Sequence, residues 1–268
     1  MALQLKTVSP GQGAHWMRDG FRLFGRHPLA FSLLLVSFLF AALLVSMVPL
    51  VGPLVMLAAL PLMSLGFMVA CESALRGGPI HPGQFIQPLR GDAARRRALL
   101  SLCLAYGAAT LVVMLLSDWI DGGRFDRLQR LFAQGGSGAE IEALLADPRL
   151  ASGAAFRFGA IALMSVPFWH APALVHWGGQ GWGQALFSST LAVWRAKGAF
   201  VVYIVSWVAM IALFGAVTAA LSALLSAREF AGILLLPSVL IFSTVFYVSL
   251  LFTFRDSFGG STAEVAAP

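Results

Sequence analysis

The chain has 268 residues, of which 59% are hydrophobic and 11% charged, with a formal net charge of +6 and a mean hydropathy of +0.83. A water-soluble domain carries about a quarter charged residues, so this composition excludes a soluble globular fold and assigns the chain to the integral membrane proteins. The basic excess, with a pI near 10.1, does not point to nucleic acid, because Lys and Arg stand in short segments beside apolar runs, where they encode topology.

Residues 1–28 read as an N-terminal interfacial segment. Trp16, Phe21 and Phe24 alternate with Arg18, Arg22 and Arg26, which suits a helix lying in the headgroup plane. A cleavable signal peptide is not expected, since this polar stretch precedes the first apolar run and no small-residue cleavage site follows it.

A six-span membrane domain over residues 29–256 follows. A bilayer core of about 30 Å needs roughly 20 apolar residues, and six stretches qualify: Leu29–Val48, Leu54–Ala74, Ala98–Leu116, Phe158–Leu174, Ala199–Leu224 and Phe230–Phe254. Pro61, Pro167, Pro172 and Pro237 fall inside them and predict kinks. The first connection is a tight turn around Pro49, Gly52 and Pro53. The third, residues 117–156, is the one substantial external loop. It carries an apolar helical face (Phe125, Leu128, Leu131, Phe132) and a capping box at Ser137 and Glu140. Residues 257–268 read as a disordered tail.

Counting Lys and Arg between the spans gives 12 on the side of the N-terminus and 6 on the other. The basic side is cytoplasmic by the positive-inside rule, so both termini are expected inside a bacterial inner membrane. Residues 84–97 and 185–197 precede the third and fifth spans as residues 14–26 precede the first, and read as further cytoplasmic amphipathic helices. Trp16, Trp177, Trp194, Arg195 and Lys197 are the expected membrane-interface anchors.

A weak internal repeat runs at an offset of 101. Leu62, Met63, Ser64, Phe67, Ala70, Gly77 and Gly78 recur as Leu163, Met164, Ser165, Phe168, Ala171, Gly178 and Gly179. The fold expected is therefore all-α, with six transmembrane helices in repeated hairpins.

Few polar residues lie in the spans. His170 and His176 occur in the fourth, Glu72 ends the second, and Ser64 and Ser165 are repeat-related. A titratable group at membrane depth is a functional candidate, although a neutral histidine bonded to a neighbouring helix is the plainer reading. The repeat brings Glu72 and His170 to similar depth, which would suit a cation site, a structural bridge, or a Glu72 that reaches the headgroups. Arg157 is expected to snorkel outward to Asp118 and Asp121. His170 and His176 point to different helix faces and His15, His27 and His81 lie in surface segments, so no metal site, haem or other cofactor is expected. Cys71 and Cys103 read as small packing residues, and no hydrolase, Walker, zincin or kinase motif is present.

The segment Phe168–Trp177 (FWHAPALVHW), followed by Trp194-Arg195-Ala196-Lys197-Gly198-Ala199-Phe200, resembles an uncharacterised proteobacterial inner-membrane family. Trp16, Phe21–Phe24 and Pro28-Leu29 are similar to its opening segment. More distantly, the scheme of amphipathic helix, basic step and hairpin resembles the membrane domain of some glycerophosphodiester phosphodiesterases. This chain carries no phosphodiesterase domain, so that activity is not implied. The resemblance implies fold and location only. Two roles stay open: a non-enzymatic membrane protein handling lipids or small amphiphiles or assisting membrane complexes, and a small transporter or channel with a site near His170 and Glu72. The bilayer is the expected partner, with room for a membrane-protein partner or a homo-oligomer.

Overall fold

The computed structural model describes residues 4–49, 51–224 and 228–259. Its elements are β1 (Gln4–Leu5), α1 (Gln12–Arg26), α2 (Pro28–Ser46), α3 (Val51–Leu75), two 3-10 turns (Pro82–Phe85 and Gln87–Arg90), α4 (Ala93–Asp121), α5 (Arg124–Gln134), α6 (Gly138–Leu145), α7 (Pro148–Phe168), α8 (Ala171–Gly178), α9 (Trp182–Arg195), α10 (Lys197–Leu224), α11 (Arg228–Ser257) and β2 (Phe258–Gly259). Among the described residues, six helical spans are long and apolar enough to cross a membrane: α2, α3, α4, α7 with α8, α10, and α11 from Leu234. The chain is an all-α integral membrane protein.

Polar caps, not the apolar limits, set several helix ends. Asp92 accepts the Arg95 N–H at 2.8 Å and starts α4 five residues before the apolar run. Gly122, at φ +63°, ends α4 beyond Asp121. Asp147 accepts the Arg149 N–H at 2.8 Å and starts α7. These caps shorten the connection expected over 117–156 to residues 122–147. Within it Ser137 caps α6 by accepting the Glu140 N–H.

The expected kinks divide into two kinds. The helices α3, α7 and α11 run on through Pro61, Pro167 and Pro237. The fourth span breaks at Trp169-His170, and the cause is Pro172. A proline ring clashes with the carbonyl four residues back, which is that of Phe168, and α7 ends there. Ser189 on α9 repairs the break: its hydroxyl accepts the His170 N–H at 3.0 Å and donates to the Val166 carbonyl at 3.1 Å.

The most tightly packed region lies where α3, α8 and α11 meet, around Phe67, Met68, Cys71, Leu174, Val248 and Leu251. Helices α2, α4 and α10 flank it, with long exposed apolar faces such as Leu33, Phe40 and Leu43 on α2.

Unlike the expectation of a helix resting in the headgroups, α1 is docked onto protein. Gly13, Trp16, Gly20 and Leu23 are buried on one face, against α10 and α11, while Arg18, Arg22 and Arg26 are exposed on the other. Residues 257–259, counted with the tail on sequence, are ordered: Ser257 ends α11 and β2 pairs antiparallel with β1. The Lys6 N–H donates to the Ser257 carbonyl at 3.0 Å. The first and last described residues, Gln4 and Gly259, thus lie side by side. Residues 260–268 fall outside the described residues.

Candidate functional site

His170 sits in the break between α7 and α8 and is fully buried. Its Nε2 lies 3.2 Å from the Thr253 hydroxyl on α11, and the Trp169 Nε1–H donates to the same oxygen at 3.2 Å. Thr253 spends its own proton on the Leu250 carbonyl at 2.8 Å. The rings of Phe200, Phe254 and Phe258 surround the imidazole edge-on, with centroids 5.5–5.9 Å away. Nδ1 is buried without a hydrogen-bond partner.

Glu72 does not meet His170. Its carboxylate accepts from Arg76 at 2.6 Å, one turn on, and from Arg255 of α11 at 2.5 Å. It therefore pins the last turns of α3 to α11 through Arg255, a partner not among the options open on the sequence. His176 is half-buried in the last turn of α8, its ring against Trp177 at 5.4 Å. Its Nδ1 is also buried and unpartnered.

Ser64 and Ser165 do come together. Both line one cleft of about 150 Å³ bounded by α3, α4, α7 and α11, with Leu60, Pro61, Tyr106, Phe168, Trp169, Phe246, Tyr247 and Leu250. Each serine donates into its own helix, Ser64 to the Pro61 carbonyl at 2.9 Å and Ser165 to the Ala162 carbonyl at 2.7 Å. Their hydroxyl protons are thus already satisfied within the helix, as is usual for serine in a span. His170 and Glu72 are not among the lining residues; Trp169 and Leu250, both hydrogen-bonded to Thr253, connect the cleft to the His170 network.

The expected interface anchors divide. Trp16 is fully buried, edge-on to Tyr203 and tilted against Phe200, and its Nε1–H donates to Asp256 at 2.7 Å. Trp177 packs on Phe254. Trp194 is largely exposed, with the Lys197 ammonium over its ring at 5.1 Å, and Arg195 beside it is exposed too.

On the opposite side Arg157 is buried, not turned out to solvent. Its Nη2 pairs with Asp118 at 2.5 Å, its Nε donates to Ser117 at 3.0 Å, and its guanidinium lies 4.0 Å from the Phe125 ring centre. Asp121, expected as a second partner, instead caps α5 by accepting the N–H groups of Gly123 and Arg124.

Thr253, Ser189, Asp256 and Arg255 were not singled out as site residues on the sequence. Single hydroxyls within apolar runs carry no spacing signal, and Asp256 and Arg255 look like the polar edge of a span. Among the described residues no three His, Cys, Asp or Glu side chains gather as a metal-ligand set. Cys71 and Cys103 are buried and free.

No protein-family model matches the chain, and no solved structure matches it. It is 34% identical over 268 residues to a probable inner membrane protein of Burkholderia thailandensis, an alignment covering 99% of this chain and 97% of the other. Apolar spans alone could give scattered identity. A match over 99% of this chain and 97% of the other takes in the connections between those spans as well. The chain belongs to the family of that probable inner membrane protein.

Proposed function

We propose that the chain is a non-enzymatic, multi-pass protein of the bacterial inner membrane that holds lipids or small amphiphiles, or assists other membrane complexes. The observation that carries this reading is the cleft at Ser64 and Ser165, whose walls are aromatic and aliphatic and bear no charged side chain. A site for a charged solute would present a charged or metal partner, whereas the polar lining here is two tyrosines and two serines whose protons are bonded within their own helices.

Both termini are assigned to the cytoplasm. The count of 12 basic residues against 6 supports this, as does the pairing of β1 with β2, which sets Gln4 and Gly259 side by side. Duplication is supported by the order of elements: a short helix or turn ending in Arg26, Arg90 or Arg195 precedes each of the outward spans α2, α4 and α10. Arg26, Ala30 and Phe31 stand in the same places as Arg195, Ala199 and Phe200.

Native mass spectrometry of the protein extracted in mild detergent tests the role. Retained phospholipid or a partner subunit is expected, and a bare, lipid-free monomer would overturn it. Reporter fusions at residues 90 and 140 test the topology and should fall on opposite faces.

A second reading, a small transporter or channel with its site near His170 and Glu72, draws support from the buried, unpartnered Nδ1 of His170. Ion or proton flux in vesicles that disappears in His170→Ala, with the protein still folded, would favour it. Equal flux in wild type and variant would remove it.

A further inference from the structure

The cleft beside Trp169 has a depth, a floor and an opening. Ser64 lies about 20 Å along α3 from Val51 at 1.5 Å per residue, near the middle of its span, so the cleft sits deep in the hydrocarbon. The floor is the Trp169 indole, which, like His170 beside it, touches both α10 and α11. It meets Phe200, Tyr203 and Phe246 edge-on at 5.3, 6.1 and 5.9 Å. Its hydrogen bond to Thr253 fixes the plane of the ring.

From Trp169 toward the end bearing α5 and α6, the helices part. α7 packs on α4 and α9 and on α5 and α6, whereas α10 packs on α1 and α11, and α11 on α1, α3 and α2; α7 makes no extensive contact with α10 or α11, and α3 closes the back of the cleft. Leu163 on α7 and Val208 and Ile211 on α10 are exposed. The cleft is therefore the inner end of a gap that faces the bilayer sideways. An apolar cavity of about 150 Å³ stays dry and accepts a group the size of benzene, and the material lying against this one is lipid hydrocarbon.

We propose that the cleft seats the end of a phospholipid acyl chain, which enters between α7 and α11 from the leaflet on the α5–α6 side and stops against the Trp169 indole. The proposal rests on the lipid-handling reading above and names the part of the lipid that is held. The headgroup stays at the surface, since the walls offer no cation to a phosphate.

The test uses the full chain in vesicles of phosphatidylethanolamine and phosphatidylglycerol, doped with a phosphatidylcholine carrying a diazirine at its acyl terminus. After irradiation, adducts are mapped by peptide mass spectrometry. They should concentrate on Phe168, Trp169 and Tyr247, above the level on Phe40 and Leu43 of lipid-facing α2. Filling the mouth with Ser165→Phe should abolish the cleft adducts and spare those on α2. A second probe, with the diazirine beside the headgroup, should leave the wild-type cleft unlabelled, which needs no variant to fold. Cleft labelling no higher than on α2, undiminished by Ser165→Phe, or equally strong with the headgroup-side probe would overturn the proposal. Phospholipid retained in native mass spectrometry together with an unlabelled cleft would remove this seat alone and leave the broader reading in place.

Discussion

His170 and Thr253 meet at 3.2 Å, and the contact decides where the imidazole carries its proton. Thr253 Oγ1 has given its only proton to the Leu250 carbonyl, so it can only accept from its other neighbours. The hydrogen-bond network therefore assigns the Nε2–H tautomer to His170, leaving Nδ1 as a bare lone pair among phenylalanine rings. Thr253→Val keeps the shape and removes the acceptor, orphaning the Trp169 and His170 N–H groups together. Each orphan costs about 1–3 kcal/mol. Thermal unfolding in detergent should fall clearly for Thr253→Val and stay close to wild type for Thr253→Ser. Equal melting of the two variants would dismiss the shared-acceptor account.

The close docking of α1 can be tested at its glycines. A Cβ on Gly13 would lie 2.0 Å from the Ala199 carbonyl oxygen and 2.7 Å from the Tyr203 nitrogen, both backbone atoms that cannot swing aside. Gly13→Ala should therefore push α1 off α10 and cost about 1–3 kcal/mol or more. Gly25 stands on the same helix with open space around it, and Gly25→Ala should gain about 1 kcal/mol from helix propensity. Opposite signs in denaturant or thermal melts are expected.

Arg157 and Asp118 form a pair in which the arginine is buried. Removing one member of a fully buried pair costs about 3–5 kcal/mol, less where a partner is 36% exposed as Asp118 is, whereas replacing both with apolar residues of similar volume is often neutral. Asp118→Leu alone should destabilise strongly, and Asp118→Leu with Arg157→Met should recover most of the loss. A double variant as unstable as the sum of the single changes would contradict this.

At the surface, Asp147 holds Arg124 at 2.5 Å and caps α7. The Arg124 side chain first, and the Arg149 amide second, hold its carboxyl below the usual range. A lowered folded pKa adds stability above the unfolded value near 3.9, and that stability is lost as pH falls through the folded one. Amide protection in the first turn of α7 should accordingly drop in the acid range. Asp147→Asn should flatten the dependence, and Asp147→Ala should fray the turn at every pH measured.

The spans were legible because a bilayer demands long uninterrupted apolar runs, and a run is a local property. Where each helix faces was not, because hydropathy scores burial in lipid and burial in protein alike. Trp16 shows the ambiguity: flanked by arginines, it has the profile of a headgroup anchor, yet Gly13 and Gly20 make its face narrow enough to dock on α10 and α11. Pro172 announced a distortion, but its position could not reveal that Ser189, on another helix, would accept the freed His170 amide. The same holds at Glu72, whose cross-helix partner, Arg255, is 183 positions away. Ser64 and Ser165 were easier to relate, since both belong to the similar segments 101 residues apart.

The clasp of Trp16 and Gln12 on Asp256 has a temporal meaning. The residues joined are 240 and 244 positions apart, so α1 obtains this part of its docking surface only once α11 has been made and inserted. Until then the Trp16 indole waits uncovered beside the growing bundle. Joining α1 to α11 is thus a slow long-range step, which a product lacking α11 cannot complete.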